Sequence, residues 1–190
     1  LSKKHKVDLF EKENQFGGHA NTIKVAYKPN KEIPIDIGFM VFNKQTYPNL
    51  INFFSENKIE IEKSDMSFSV TVENSDLEYC GKGLGGIFSN KKNLFNPKFI
   101  KMFFEILSFY KNCEKIEIKK IKSITLGEYL KEIKISGYFI NYHIIPMVSA
   151  IWSMPPYEAK QMPLSFFLSF FKNHGLFKIK DRPQWFTVAN

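Results

Sequence analysis

Arginine, paired cysteines and long apolar runs are what this 190-residue sequence is short of. Arg182 is the only arginine, so 26 of the 27 basic residues are Lys, spread among many Ile, Asn and Phe. The net charge is 27 − 19 = +8 with His neutral. A Lys-biased composition accounts for that charge as well as a polyanionic partner does, and the dispersed lysines argue against nucleic-acid binding. The two cysteines, Cys80 and Cys113, lie far apart without metal-type spacing, which reads as free thiols in a reducing compartment and as no metal site. No stretch reaches the roughly 18 apolar residues of a membrane span. The Phe-rich run Leu164 to Phe171 is short and is closed by Lys172, Asn173, His174 and Gly175, so it reads as a buried or interfacial helix. The apolar run Val7 to Phe10 behind the basic start is too short for a signal peptide, and a cytoplasmic location is the expectation. G-x-S-x-G, H-E-x-x-H and a Cys beside a His are all missing, which removes the usual hydrolytic chemistries. The chain begins at Leu1 with no initiator Met.

What is present is a folded composition, 44% hydrophobic and 16% aromatic. Lys6 to Phe10 alternates weakly and ends in Glu11, then Asn14-Gln15-Phe16-Gly17-Gly18 makes a turn, so a strand is expected to run into a loop. Ile33 to Phe39 is a second apolar strand. Pro48 opens a helix to Asn57. Lys58 to Glu62 and Met66 to Val72 alternate as strands, and Glu73 to Asp76 turns the latter into a hairpin with Leu77 to Cys80. Asn96-Pro97 starts an amphipathic helix through Tyr110, and Thr125 with Glu128 forms a capping box for a helix to about Ile133. Ser136 to Ile151 reads as a helix kinked at Pro146, and Leu164 to Asn173 as the last one, stopped by Gly175.

Gly81-Lys82-Gly83-Leu84-Gly85-Gly86 satisfies G-x-G-x-x-G, yet Ile87 to Asn93 is a poor helix opening and no acidic strand end follows at the required distance. A flexible loop is expected there. A stronger dinucleotide signal is Val7 to Glu11 followed by Gly17-Gly18-His19. A carboxylate at a strand tip can accept hydrogen bonds from both hydroxyls of an adenosine ribose, and glycines let backbone approach a bulky cofactor.

Glu11, Gly17-Gly18-His19, Ile35 to Asn43, Tyr47-Pro48-Asn49-Leu50, Ser64 to Ser69, Thr125 to Tyr129, Ala150-Ile151-Trp152-Ser153 and Asn173-His174-Gly175-Leu176 through Trp185 occur in one order. In these blocks the sequence resembles a bacterial family of predicted NAD/FAD-binding flavoproteins within the amine oxidase and phytoene desaturase superfamily. The resemblance implies an α/β fold, α+β in the cap part: a partial Rossmann-like FAD-binding domain at residues 1–43, a mostly helical substrate or cap domain at 44–185, and a return to the cofactor domain at 186–190. Such proteins begin with a strand, a G-x-G-x-x-G turn and a helix, so Leu1 to His5 is expected to be the end of that helix and the chain an internal fragment.

By the same resemblance FAD is the cofactor. Glu11 would hold its adenosine ribose, Gly17, Gly18 and His19 would lie along its phosphate and ribityl region, and Gly38 and Phe39 would approach the flavin ring. The implied activity is FAD-dependent oxidation of a small-molecule or lipid-like substrate by hydride transfer to flavin, with no catalytic side chain singled out. A non-redox isomerase or mutase, or a lipid-associated partner, is the alternative. The Phe-rich helix beside Lys172, Lys178, Lys180 and Arg182 admits peripheral membrane contact, although a core helix is the simpler reading. Asp36 reads equally as a turn or cap carboxylate, His143 as a core histidine, Trp152 and Trp185 as packing residues, and His174 as a helix cap or, by the resemblance, a pocket residue.

Overall fold

The computed structural model of the chain describes residues 3–121, 123–178 and 181–189. In chain order the elements are β1 (Thr22–Lys28), β2 (Lys31–Asp36), β3 (Phe42–Asn43), α1 (Pro48–Glu56), β4 (Ile61–Ser64), β5 (Ser69–Thr71), β6 (Glu78–Cys80), α2 (Gly83–Ile87) and α3 (Pro97–Lys115). They continue with α4 (Leu126–Glu132), α5 (Gly137–Phe139), a π-helical turn at Ile140–Ile144, α6 (Ile145–Trp152), α7 (Pro156–Gln161), α8 (Leu164–Asn173) and β7 (Trp185–Val188). This is a mixed α/β chain with small antiparallel sheets. Two compact units divide it, Leu1–Ser64 with Trp185–Asn190, and Asp65–Gln184.

In the first unit β7 runs antiparallel between β3 and β4, with Phe42 opposite Phe186 and Ser64 opposite Trp185. Phe42, Phe54 of α1 and Trp185 are its buried apolar side chains, and the Phe42 and Phe54 rings meet edge to face at 5.3 Å. Strands β1 and β2 form a separate hairpin whose register pairs Ile23 with Ile35 and Val25 with Ile33. The strand expected over Lys6 to Phe10 is not formed. A strand is held by a ladder, and among the described residues nothing pairs with this segment, so it forms no regular element and leaves Leu9 and Phe10 71% and 93% exposed. Lys3 to His5 form a turn rather than a helix end, and Leu1 and Ser2 of that expectation lie outside the described residues.

The second unit is a helical core. On α3, Phe99, Met102, Phe109, Tyr110 and Cys113 are buried at helical spacing. The Asn96 side chain caps its start, accepting from the Lys98 and Phe99 N–H groups at 3.0 and 3.2 Å. At α4 the Thr125 hydroxyl accepts the Glu128 N–H at 3.1 Å while the Glu128 carboxylate accepts the Thr125 N–H at 2.7 Å, the expected capping box. Those hydrogen bonds hold the Glu128 carboxyl below its ordinary pKa. Helix α8 turns Leu164, Phe167, Leu168 and Phe171 into the core, so its apolar face is spent on packing and only Phe166 stands half-exposed. It ends in a Schellman turn: Gly175 has φ +64°, its N–H donates to Lys172 O at 3.1 Å, and the Leu176 N–H donates to Phe171 O at 2.8 Å. His174 adds a cap by donating Nδ1–H to Phe170 O at 2.9 Å. Lys180, part of the expected basic flank of this helix, lies outside the described residues.

The β5–β6 hairpin forms as expected, with Val70 opposite Tyr79. The glycine-rich segment after it is a correction. It folds into the helical turn α2 rather than a flexible loop, because Gly83 takes φ +71° and Gly86 has its α-carbon face against Cys80 O, where a Cβ would come within 2.8 Å. Gly83 serves the turn and Gly86 the close approach to Cys80.

Instead of a simple proline kink, the segment 137–152 passes through a π turn. Pro146 has no N–H to give the carbonyl four residues back, and that carbonyl, Tyr142 O, accepts the Tyr79 hydroxyl at 2.7 Å. The Ile145 N–H reaches Ile140 O, closing the wider turn. Inside it His143 is buried with both ring nitrogens engaged, Nδ1 with Tyr79 Oη and Nε2 with Tyr110 Oη, each at 2.9 Å. Since the Tyr79 hydroxyl proton goes to Tyr142 O, His143 Nδ1–H donates to Tyr79 and the Tyr110 hydroxyl donates to His143 Nε2. The imidazole is neutral, and burial pushes its pKa down to about 3.

A group whose pKa is depressed on folding adds stability above its unfolded value near 6.5, lost as pH falls towards 3. Thermal unfolding from pH 7 to 4 should therefore show a steeper fall in Tm for the wild type than for His143→Gln, and parallel curves would contradict this. Phe167→Ala, which removes a fully buried ring 4.2 Å from Phe171, should cost about 3–5 kcal/mol in denaturant unfolding.

Candidate functional site

The residues singled out for a cofactor all fall in the first unit. Glu11 follows the unpaired segment Lys6–Phe10 and is exposed, and one of its carboxylate oxygens accepts the Glu13 N–H at 2.9 Å. That bond makes a local turn and leaves the second oxygen open. Next, Gly17 at φ +117° and Gly18 at φ +57° turn the chain, and the Ala20 N–H donates to Gly17 O at 3.0 Å. A Cβ on Gly18 would meet nothing within 4 Å, so its surroundings are open.

The structure brings Gly17–His19 and Gly38–Phe39 together. The Ile37 N–H donates to Asn21 O at 3.0 Å and the Phe39 N–H to His19 O at 2.6 Å, which prolongs the β1–β2 ladder beyond Thr22 and Asp36. Gly38 is required here, because the His19 carbonyl occupies the place a Cβ would take. The His19 imidazole is exposed, and no hydrogen bond to it is formed among the described residues. Asp36 accepts the Thr22 hydroxyl at 2.6 Å, so this carboxylate clasps the hairpin. Among the described residues no hydrogen bond joins the Glu11 carboxylate to the paired glycine segments.

Past Gly38 the Phe39 ring, 39% exposed, lies edge to face with Tyr47 at 5.7 Å and stacks on Phe42 at 6.4 Å. Burial raises the Tyr47 pKa. Asn43 is fully buried; its Oδ1 accepts the Thr46 N–H at 2.8 Å, while its Nδ2 has no partner among the described residues. A buried donor without an acceptor costs about 1–3 kcal/mol, which sets Asn43 apart from a packing residue. Nothing local marks Asn43 in the sequence, because an Asn after Val-Phe carries no sign that it will be buried.

A family model described as an NAD(P)-binding Rossmann-like domain matches residues 1–56. The match supports a dinucleotide-binding oxidoreductase and a dinucleotide cofactor. It falls within the first unit and covers every residue just described. Among curated proteins none matches this chain. Among the described residues no helix is long and apolar enough to cross a membrane.

Two glycine substitutions separate packing from open space. Gly38→Ala forces a methyl group into the His19 carbonyl and should destabilise the first unit by about 1–3 kcal/mol, read as faster hydrogen exchange at the Phe39 amide. Gly18→Ala meets no atom and should cost only the left-handed backbone, about 1–2 kcal/mol, without exposing the Phe39 amide. Equal exchange in the two variants would show that the Gly38–His19 apposition does not hold this loop.

Proposed function

We propose that the chain serves an FAD-dependent oxidoreductase of the amine oxidase type, related to bacterial NAD/FAD-binding flavoproteins. The observation that carries this reading is the apposition of Gly17–His19 with Gly38–Phe39 inside a segment that matches a Rossmann-like dinucleotide domain. Bound FAD would supply the hydride acceptor for oxidation of a carbon of an organic substrate.

The residues present suit such a group by their chemistry. Glu11 offers an exposed carboxylate with one free oxygen, the acceptor that two ribose hydroxyls need. Gly17 and Gly18 carry no side chain to keep a phosphate or ribityl chain from the backbone, and the space beside Gly18 is clear. His19 supplies a free donor for an anionic or ring oxygen, and Phe39 an exposed ring for a flat heterocycle. No carboxylate or histidine of this group is required as acid or base, because in hydride transfer the protein's part is to bind, orient and exclude water. The second unit is the substrate-binding part of this reading, for a small-molecule or lipid-like substrate.

Glu11→Gln keeps the size of the side chain and removes its charge. In the intact gene product it should weaken FAD binding by about 1–3 kcal/mol, the loss of a charge-assisted pairing with hydroxyls, measured by flavin fluorescence titration. Unchanged affinity would place the ribose elsewhere.

A further inference from the structure

In the second unit a cleft of about 420 Å³ lies between the start of α3 and the turn from α5 into the π-helical segment. Its volume falls in the range of about 300–1,000 Å³ usual for small-molecule sites. Lys98 and Lys101 line one side, and Gly137, Tyr138, Asn141 and Tyr142 the other. None of them takes part in the dinucleotide reading above, on which this inference does not depend.

The cleft has an aromatic side. Tyr138 and Tyr142 stand one turn apart with ring centroids 4.7 Å apart and planes inclined by 63°, so they offer a ring face and a ring edge together. Gly137 leaves that side clear, since a Cβ there would meet nothing within 4 Å. The π turn carries both Asn141 and Tyr142, and such insertions into helices recur at functional positions.

The polar groups of the lining are unevenly used. Lys101 lies 3.9 Å from the Glu105 carboxylate, and Glu105 is itself engaged by the Ser136 N–H at 3.1 Å and by the Ser136 hydroxyl. The Lys98 ammonium, the Asn141 amide and the Tyr142 hydroxyl have no hydrogen bond or ion pair among the described residues. No acidic residue lines the cleft. One uncompensated positive charge thus faces two aromatic rings and a free amide. A polyphosphate would need more cations than this, and a purely apolar ligand would leave Lys98 and Asn141 unused.

We propose that this cleft binds an aromatic monoanion, its planar ring against Tyr138 and Tyr142 and its carboxylate or sulfonate on Lys98 and Asn141. The test is a titration of the ¹⁵N-labelled chain with 1-naphthoate, with neutral 1-naphthalenemethanol as the matched control. Saturable amide shifts should cluster at Gly137, Tyr138 and Asn141, and the neutral alcohol should bind about tenfold more weakly, the equivalent of one charge-assisted contact. Lys98→Glu, a change at an exposed position, should weaken naphthoate binding by about tenfold or more while the rest of the spectrum stays in place. Tyr142→Phe should leave the ring contact and most of the affinity intact. Absence of saturable shifts at these amides, equal binding of the alcohol, or indifference to Lys98→Glu would overturn the proposal.

Discussion

A proline that cannot donate, Pro146, and the carbonyl it leaves free organise the second unit. Tyr142 O takes the Tyr79 hydroxyl instead, the Tyr79 oxygen takes His143 Nδ1–H, and the other imidazole nitrogen takes the Tyr110 hydroxyl. One chain of hydrogen bonds thereby ties β6, α3 and the π turn together in the middle of an aromatic core. Phe139 packs on the same imidazole at 5.4 Å and Phe68 at 6.2 Å. In so apolar a setting an unsatisfied nitrogen would be costly, and a fully paired one fixes the register of three elements at once. Burial also raises the pKa of both tyrosine hydroxyls, so the network is neutral throughout ordinary pH.

The first unit is held differently. Its sheet is a short antiparallel β3–β7–β4 arrangement around Phe42, Phe54 and Trp185, and its hairpin is locked at the base by backbone bonds between His19–Asn21 and Ile37–Phe39. This lock gathers Gly17, Gly18, His19, Gly38 and Phe39 into one small region with open space beside Gly18. In the proposed function, this exposed backbone and the one open oxygen of Glu11 upstream are what a long cofactor would lie along. Chemistry then rests with the cofactor, and the chain's contribution is shape, donors and acceptors.

Local signals were the legible ones. Pro48, Asn96, Thr125 with Glu128, and Gly175 each announce a helix end by chemistry confined to a few residues, and α1, α3, α4 and α8 begin or stop where those residues stand. The β5–β6 hairpin was readable for the same reason. Pairings over longer range were not. Strand β1 alternates along an exposed hairpin whose register depends on β2, and Lys6 to Phe10 has the pattern of a strand but no ladder. The π turn arises from a hydroxyl 63 residues away, on Tyr79, that claims Tyr142 O. In the candidate site Glu11 and the glycines stood out by their order along the chain, a carboxylate after an apolar run and a glycine pair six residues on. Asn43 and the meeting of His19 with Gly38 were hidden, since both depend on which backbone the fold brings close.

The most direct measurement of the central claim is the visible absorption spectrum of the intact gene product after gentle purification. The account predicts the absorption bands of bound flavin, bleached when the substrate is oxidised without oxygen and restored when oxygen is admitted. A colourless protein that takes up no added FAD would contradict it.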